Sequence, residues 1–359
     1  MDRPVLGPGD TPPTHLLGSG EPSAGKSEAR SAVGFRRAAV VLAILLVAVV
    51  VFFFRTLVPE ATAGLEGAAR DFFTLSISVV IESLPFVFLG ILVSILVRVW
   101  LPADFLFRRL PSSPVLRRLL LSLLGMLMPV CECGNVPMAR GLMVKGLTAG
   151  ESMTFLFAAP ILNPITIITT QQAFGWDNGI LAGRIAGGFF IANLVGWIYR
   201  DRQPGSVLTP GFEETCATEE HDHPTAGRLM QSISLFTREA DAMMPALFIG
   251  AGLAGLIQVG VPREVMVALG SDPVWSVLAL MALAFVVAIC SNVDAFFILS
   301  FGATFLPGAV VGFLVFGPMI DVKMLALLRT TFTTRTLLHL TLIIGLCSAV
   351  LGWAVNFAF

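Results

Sequence analysis

Long apolar stretches alternate with short polar ones from residue 38 onward. In the first part of the chain the apolar stretches lie at about 72–98, 118–131, 135–147, 152–172 and 180–199, and a similar series follows residue 238. A helix needs about 20 mostly apolar residues to cross a bilayer, and several stretches reach that length. The stretches at 118–131 and 135–147 are shorter, which predicts either a re-entrant hairpin or two tilted short spans. The pattern predicts an all-α polytopic membrane protein.

The composition supports the same class. Hydrophobic residues make up 55% of the 359 residues and charged residues only 13%, whereas a soluble domain carries about 25% charged residues. The mean hydropathy is +0.84. A P-loop pattern at 20–27 lacks the strand and helix that would aim its amides at a phosphate, so we interpret it as a chance match. We predict a chain embedded in the lipid bilayer, with no enzymatic activity, no cofactor and no nucleic-acid partner.

The chain divides into five predicted regions. In order they are a disordered cytoplasmic tail (1–34), a first transmembrane helix (35–57), permease repeat 1 (72–200), a cytoplasmic linker (201–238) and permease repeat 2 (239–359). The tail is rich in Pro, Gly and Ser and has too few apolar residues to fold. Arg36 and Arg37 precede the first helix, which favours a cytoplasmic N-terminus in the inner membrane by the positive-inside rule.

The two halves share landmarks in one register. The same interval separates Pro85 from Pro245, Gly90 from Gly250 and Pro102 from Pro262, and an interval one residue shorter separates Cys131 from Cys290. Each half has about five membrane segments, an odd number, so the second half must enter the membrane from the opposite side. The sequence therefore predicts two inverted repeats after the first helix.

Prolines, glycines and polar residues interrupt four apolar segments, at 129–137, 159–164, 290–294 and 317–321. Unwound backbone is tolerated at membrane depth only where it lines a cavity or is buried in protein, and such broken helices form the substrate sites of inverted-repeat transporters. The predicted substrate-binding residues lie at these breaks: Cys131, Glu132, Cys133, Asn135, Asn163, Cys290, Asn292, Asp294 and Asp321.

The cysteines favour a soft, thiophilic solute. Thiolates are the soft ligands among protein side chains, and Cys131 and Cys133 are close enough in sequence to face one cavity. Cys290 would approach from the other repeat. The alternative is that cysteine packs as a small buried hydrophobe, which is our interpretation of Cys347.

Carboxylates inside the membrane are costly and usually functional or paired. Asp294, Asp321 and Glu82 are the predicted proton-coupling residues, because a proton-coupled exporter needs a carboxylate that alternates between charged and neutral forms. The alternative is a structural role, in which each carboxylate caps a half-helix or pairs with a neighbour such as Lys323 or Arg329.

The linker carries a weaker candidate. Cys216, His221 and His223 are residue types that bind zinc or copper, but their spacing matches no closed structural zinc site. The first interpretation of this segment is a solvated acidic linker, and a weak metal site is the second.

Several of these motifs occur in a fixed order across both halves. They are Cys131-x-Cys133-Gly134 with Pro137, then Gly146, Phe155-Leu156 and Ala159-Pro160-x-x-Asn163-Pro164, then Cys290-Ser291 with Asp294, and Gly317-Pro318 with Asp321. In these residues the chain resembles the ArsP-like predicted permease family over about 72–200 and 235–359. The resemblance implies a permease, and the founding activity of that family is export of trivalent organoarsenicals.

The main prediction is a secondary, proton-coupled exporter of a small metalloid or other thiophilic solute, working by alternating access of the two halves. Two alternatives remain open. Cys131 and Cys290 could form a thiol-disulfide pair that carries electrons across the membrane, although neither half has C-x-x-C spacing. The carboxylates could instead serve a divalent metal-ion permease.

Overall fold

The structure is a computed structural model, and it describes residues 59–101, 110–127, 131–176, 178–219, 227–260, 272–300 and 305–358. The chain divides into two units, Met1–Glu66 and Gly67–Phe359. The predicted tail and the predicted first transmembrane helix lie outside the described residues, so both stay predictions.

The described residues of the first half form six helices. They are α1 (Pro59–Ile95), α2 (Pro114–Leu124), α3 (Glu132–Val144), α4 (Ala149–Leu162), α5 (Pro164–Phe174) and α6 (Ile180–Ile198). A π-helical turn, Leu96–Trp100, extends α1, and a 3-10 turn, Gly125–Leu127, extends α2. α1 begins before the predicted start of repeat 1 at residue 72. Residues 59–71 contain several Ala and Glu residues, which favour a helix.

The remaining helices belong to the linker and the second half. They are α7 (Pro204–Val207), α8 (Pro210–Glu219), α9 (Arg228–Gly260), α10 (Trp275–Val287), α11 (Asp294–Leu299), α12 (Pro307–Met319), α13 (Val322–Leu328) and α14 (Thr334–Ala358). α9 begins inside the segment predicted as linker, ten residues before its predicted end at 238.

Local sequence signals explain several of these boundaries. α2, α5, α7 and α12 begin with proline, whose missing N–H costs nothing in a first turn. α4 begins with a capping box, in which Thr148 and Glu151 each accept a hydrogen bond from the other's backbone N–H. Ahead of α10, the Asp272 carboxylate accepts hydrogen bonds from the backbone N–H groups of Val274 and Trp275, and these bonds lower its pKa.

Six helical stretches of the described residues are long and apolar enough to cross a membrane. They are Gly67–Trp100, Ala149–Phe174, Ile180–Ile198, Arg228–Val259, Pro307–Leu328 and Thr334–Ala358. Two of them consist of paired helices with a break between, α4–α5 and α12–α13. The prediction of a multi-pass, all-helical membrane protein is confirmed.

Each half contains a pair of short helices between its long spans. α2 and α3 have 11 and 13 residues, which agrees with the predicted short segments. In the second half the apolar stretches at 274–290 and 291–306 are longer than those at 118–131 and 135–147. Even so, α10 has 13 residues and α11 only 6. A break at 288–293 separates these two helices, so neither is long enough to cross a bilayer.

α4 and α12 form the centre of the protein. The most apolar part of Pro307–Leu328 is 89% buried, whereas the corresponding part of Arg228–Val259 is 33% buried. The long helix α9 therefore lies at the lipid-facing periphery. α4 packs against α2 and α6, α12 packs against α10 and α14, and α6 contacts both α12 and α14. Corresponding helices of the two halves thus have corresponding neighbours, while the inverted relation of the halves stays a prediction.

The linker is not a fully solvated segment, which corrects the first interpretation of it. α8 packs on α3, and Phe212 and Leu208 are buried. Leu208 forms an isolated β-bridge with Phe332, and the backbone N–H of Thr209 donates to the carbonyl of Thr331. Apolar side chains and backbone hydrogen bonds therefore fix the first part of the linker to the loop that follows α13.

Gly90 and Gly250 allow the long outer helices to approach the interior. A Cβ at Gly90 would collide with the backbone of Gly134 in α3, and one at Gly250 would meet Lys323 and Ala326 in α13. By contrast, nothing lies within 4 Å of a Cβ added at Gly252.

We expect Gly90→Ala to destabilise the protein, because backbone atoms of α3 cannot move aside as a flexible side chain can. Overpacking of this kind costs about 1–3 kcal/mol, to be read as a lower thermal unfolding temperature in detergent. Gly252→Ala is the matched control and should leave that temperature unchanged or slightly raised. Equal unfolding temperatures for the two variants would contradict the close approach of α1 and α3.

Candidate functional site

The four predicted interruptions coincide with helix starts. Cys131 has an extended backbone and is the N-cap of α3, and Asp294 is the first residue of α11. Asn163 ends α4 and caps α5, where its Oδ1 accepts a hydrogen bond from the N–H of Ile165 at 2.9 Å. Asp321 caps α13 in the same way through the N–H of Met324. Side chains of the site thus satisfy backbone groups that lipid could not.

The break before α11 contains an unusual backbone conformation. Ala288 has φ of +52°, and it is the one non-glycine residue among those described with a positive φ. This left-handed conformation costs free energy and persists where surrounding contacts fix it. Here the carbonyl oxygen of Ala288 accepts a hydrogen bond from Lys323 Nζ at 3.2 Å. Lys323 therefore stabilises the turn that leads to Cys290.

Three thiols from the two halves meet at these breaks. Cys131, Cys133 and Cys290 are 1%, 0% and 4% exposed. The Cys131 thiol is close enough to the thiols of both Cys133 and Cys290 for hydrogen bonding. Residues two apart on a helix face different ways, but Cys131 precedes the helix, so its side chain can converge with that of Cys133.

Glu132 connects the thiols to the second half. It is fully buried, and its Oε1 accepts a hydrogen bond from Lys323 Nζ at 3.1 Å in an ion pair. Its Oε2 accepts hydrogen bonds from the backbone N and the Oγ of Ser291, at 3.4 and 3.2 Å. The sequence suggested Lys323 only as a partner of its neighbour Asp321, so the pairing with Glu132 is a finding of the structure.

A second buried ion pair also joins the halves. Arg184 of α6 donates to both carboxylate oxygens of Asp294, at 2.9 and 2.6 Å, and to Thr170 Oγ1 at 2.7 Å. Arg184 is fully buried. The sequence reasoning missed this residue, although an arginine inside an apolar helix is itself a signal of pairing or function.

The other predicted site residues lie around these two pairs. Asn292 accepts a hydrogen bond from Thr166 Oγ1 at 3.2 Å. Glu82 of α1 is half-buried and close enough to Lys323 and Glu132 to interact with both electrostatically. Asn135 is fully buried, and its side-chain amide has no hydrogen-bond partner among the described residues.

The structure brings together one group of possible metal ligands that the sequence predicted as substrate-binding residues, and it describes only part of the predicted linker metal site. The ligand atoms of Cys131, Glu132 and Cys133 all lie within 4.8 Å of one another, so this buried trio could hold a metal ion. In the linker, Cys216 lies half-buried on α8, whereas His221 and His223 lie outside the described residues. The linker metal site stays a prediction.

Comparison with known proteins places the chain in a family. Residues 68–357 match a family described as predicted permease, ArsP_1. The chain belongs to the ArsP_1 family. The match covers all the helices that carry the candidate site, and it confirms the resemblance predicted from the motifs. The protein is thus a membrane permease.

Two relatives of this permease match it over most of their own length, and a third matches over a shorter stretch. The UPF0718 protein YcgR of Bacillus subtilis is 34% identical over 267 residues, which are 72% of this chain and 88% of that protein. A Streptococcus mutans protein named as a two-component membrane permease complex subunit is 30% identical over 264 residues, 73% of this chain and 87% of that protein. The UPF0718 protein YraQ of Escherichia coli is 30% identical over 107 residues, 30% of each chain. No solved structure matches.

We expect Lys323→Met to destabilise the permease strongly, because it leaves the Glu132 carboxylate buried without a counter-charge. Removing one partner of a buried ion pair costs about 3–5 kcal/mol, which thermal unfolding in detergent can measure. The double variant Glu132→Leu with Lys323→Met should recover much of this loss, since an apolar pair needs no counter-charge.

Arg200→Gln is the control for this cycle. Arg200 pairs with Asp201 on the surface, where both side chains are exposed, so its replacement should cost about 1 kcal/mol or less. The single variant Glu132→Leu completes the cycle. If the loss of unfolding free energy in the double variant equals the sum of the losses in the two single variants, Glu132 and Lys323 are not energetically coupled.

Proposed function

We propose that this ArsP_1 permease is a secondary exporter of a small thiophilic solute, such as a trivalent organoarsenical. The observation that carries the proposal is the convergence of Cys131, Cys133 and Cys290, three buried thiols from both halves, at breaks in the helices. A backbone interruption in a membrane is costly unless it serves a site. Soft ligands in such a site favour a soft solute over a sugar or a peptide.

Thiol exchange gives the solute a way to bind and to leave. A trivalent organoarsenical with two hydroxyl groups reacts with two thiols to form two As–S bonds and release two water molecules. The reverse reaction frees it, and a third thiol allows one As–S bond to exchange for another without full release. Cys131 and Cys133 come from one half and Cys290 from the other, so transfer between them would pass the solute from one half to the other.

Movement of the halves is the proposed transport step. The repeated order of helices, the shared landmarks and the corresponding packing of α4 and α12 support two inverted repeats that alternate in access. The Glu132–Lys323 and Asp294–Arg184 pairs both connect the halves, so either would have to rearrange as the halves move. Protonation of a carboxylate weakens such a pair, and this is how we propose that the proton gradient is coupled.

Asp294, Asp321 and Glu82 are the proposed proton-coupling residues. Asp321 is buried, and its Oδ2 has no hydrogen-bond partner among the described residues, so it can accept a proton without losing a contact there. Asp294 would exchange its bond to Arg184 for a proton. The proposed location is the inner membrane with a cytoplasmic N-terminus, as the arginines before the first predicted helix indicate.

A second subunit is a proposed partner. The Streptococcus mutans relative is named as a subunit of a two-component membrane permease complex. Its match covers 73% of this chain and 87% of that protein. We infer that the present permease also works with a second protein component.

One observation favours a second function, transmembrane electron transfer. The thiols of Cys131 and Cys290 are neighbours, and a disulfide between them would release two electrons and two protons to a disulfide-containing acceptor. The trio of Cys131, Glu132 and Cys133 would suit a metal-ion permease, but the adjacent Lys323 ammonium repels a cation.

Growth of an arsenical-sensitive, export-deficient host tests the exporter proposal. Expression of the wild type should raise tolerance to phenylarsenite and lower its accumulation. Cys131→Ser, Cys133→Ser and Cys290→Ser should each abolish most of this protection, because serine cannot form an As–S bond. Cys347 is half-buried on α14. Cys347→Ser is the matched control and should protect as well as the wild type.

Membrane thiol trapping in the same strains separates the alternatives. The exporter proposal expects Cys131 and Cys290 to stay reduced during growth, whereas the electron-transfer function expects a disulfide between them. Full protection by all three serine variants would reject thiol ligation. Altered accumulation of Zn²⁺ with unchanged phenylarsenite would favour the metal-ion permease instead.

A further inference from the structure

A second cluster of buried charges lies on α3, away from the thiols. Arg140 follows Glu132 by two turns of helix, about 12 Å along its axis. Glu239 of α9 bridges it to Arg98: Arg98 Nη1 donates to Glu239 Oε1 at 2.7 Å, and Arg140 Nε donates to Oε2 at 2.8 Å. All three side chains are at most 7% exposed. One carboxylate therefore lies between two buried guanidinium groups.

These side chains border a cavity of about 220 Å³. Its charged lining is Arg98, Arg140, Arg238 and Glu239, and its neutral lining includes Thr209, Thr215 and Phe212. A neighbouring cavity of about 180 Å³ shares Arg98 and Arg238 and adds Lys145. In the described lining, basic side chains outnumber the single carboxylate, so the two cavities are positively charged.

Arg140 is held with one edge towards the first cavity. Its Nε is bonded to Glu239, and its Nη1 donates to Thr330 O and Thr331 Oγ1, both at 3.1 Å. The ring of Phe212 lies 4.1 Å from the guanidinium carbon and covers one face. Nη2 donates to none of the described residues. A fixed guanidinium with an unused pair of N–H donors is a preorganised anion-binding group.

We propose that this basic cavity binds a phosphate group. Arginine is well suited to phosphate because its planar donors match the phosphate oxygens, and Arg98, Arg140 and Arg238 supply such donors from three different segments. The cavity volume far exceeds the space that one water molecule needs, so a phosphate group fits. Thr209 and Thr215 line the same cavity, but their hydroxyls already donate to the carbonyls of Thr330 and Gly211, so the arginines carry the recognition.

The phosphate group has two physical sources. An anionic phospholipid can place its headgroup in a basic pocket between membrane helices, and free phosphate can enter from the aqueous side. Either source presents the same chemistry to Arg98, Arg140 and Arg238, but only the lipid adds acyl chains to the contact.

The cavity lies beside the elements that carry the Glu132–Lys323 pair. Arg140 shares α3 with Glu132, and Thr330 follows α13, the helix of Lys323. Arg140 connects α3 to α9 through Glu239 and to the loop after α13 through Thr330. The Glu132–Lys323 pair connects α3 to α13 about two helical turns away. This inference depends on neither the transported solute nor the thiol chemistry.

Binding to delipidated, purified permease tests the proposal. Thermal unfolding is followed while inorganic phosphate, short-chain phosphatidylglycerol or short-chain phosphatidylcholine is added at matched ionic strength. We expect either phosphate or phosphatidylglycerol to raise the unfolding temperature more than phosphatidylcholine does. A larger shift with phosphatidylglycerol identifies a lipid headgroup, and a larger shift with inorganic phosphate identifies the free ion.

Arg238→Gln is the main variant, because Arg238 is exposed and lines both cavities, so the protein should still fold. It should weaken binding roughly fivefold or more, the effect of losing one charge-assisted contact. Arg70→Gln is the matched control, since Arg70 is exposed near the opposite end of α1. No stabilisation of the wild type by either ligand, or equal affinity in Arg238→Gln and the wild type, would overturn the proposal.

Discussion

The buried ion pair between Glu132 and Lys323 is the interaction on which the rest of the site depends. Each charge loses several kcal/mol of hydration free energy on burial, and the loss is offset only if the partner is placed accurately. Their contact requires α3 from the first half and α13 from the second to meet. Because Glu132 also accepts hydrogen bonds from Ser291, this one carboxylate positions the break that carries Cys290 beside Cys131 and Cys133.

The broken helices are stable because side chains of the site replace the missing backbone partners. Asn163 and Asp321 cap the half-helices that follow them, and Lys323 holds the carbonyl of the strained Ala288. Some polar capacity is left over among the described residues, on the Asn135 amide and on Asp321 Oδ2. Buried polar atoms without partners are rare in proteins, and their presence here agrees with a site that binds solute or protons during its cycle.

Much of this arrangement could be predicted from the sequence. The positions of the breaks follow from prolines, glycines and polar residues within apolar segments, and each predicted break coincides with a helix start. The ion pairs could not be predicted, because Arg184 and Asp294 lie far apart in the chain and come together only through packing of the two halves. The packing of α8 on α3 could not be predicted either. Buried apolar residues such as Phe212 are few in an otherwise acidic segment, so the segment resembles a solvated linker.

The central claim is that three thiols from both halves bind one thiophilic solute. Arsenic X-ray absorption of the purified permease loaded with one equivalent of phenylarsenite measures the atoms bound to arsenic directly. The account predicts at least two sulfur neighbours per arsenic in the wild type and in Cys347→Ser, and at most one in the Cys131→Ser, Cys290→Ser double variant. Arsenic with only oxygen neighbours, or the same spectrum in the double variant as in the wild type, would contradict it.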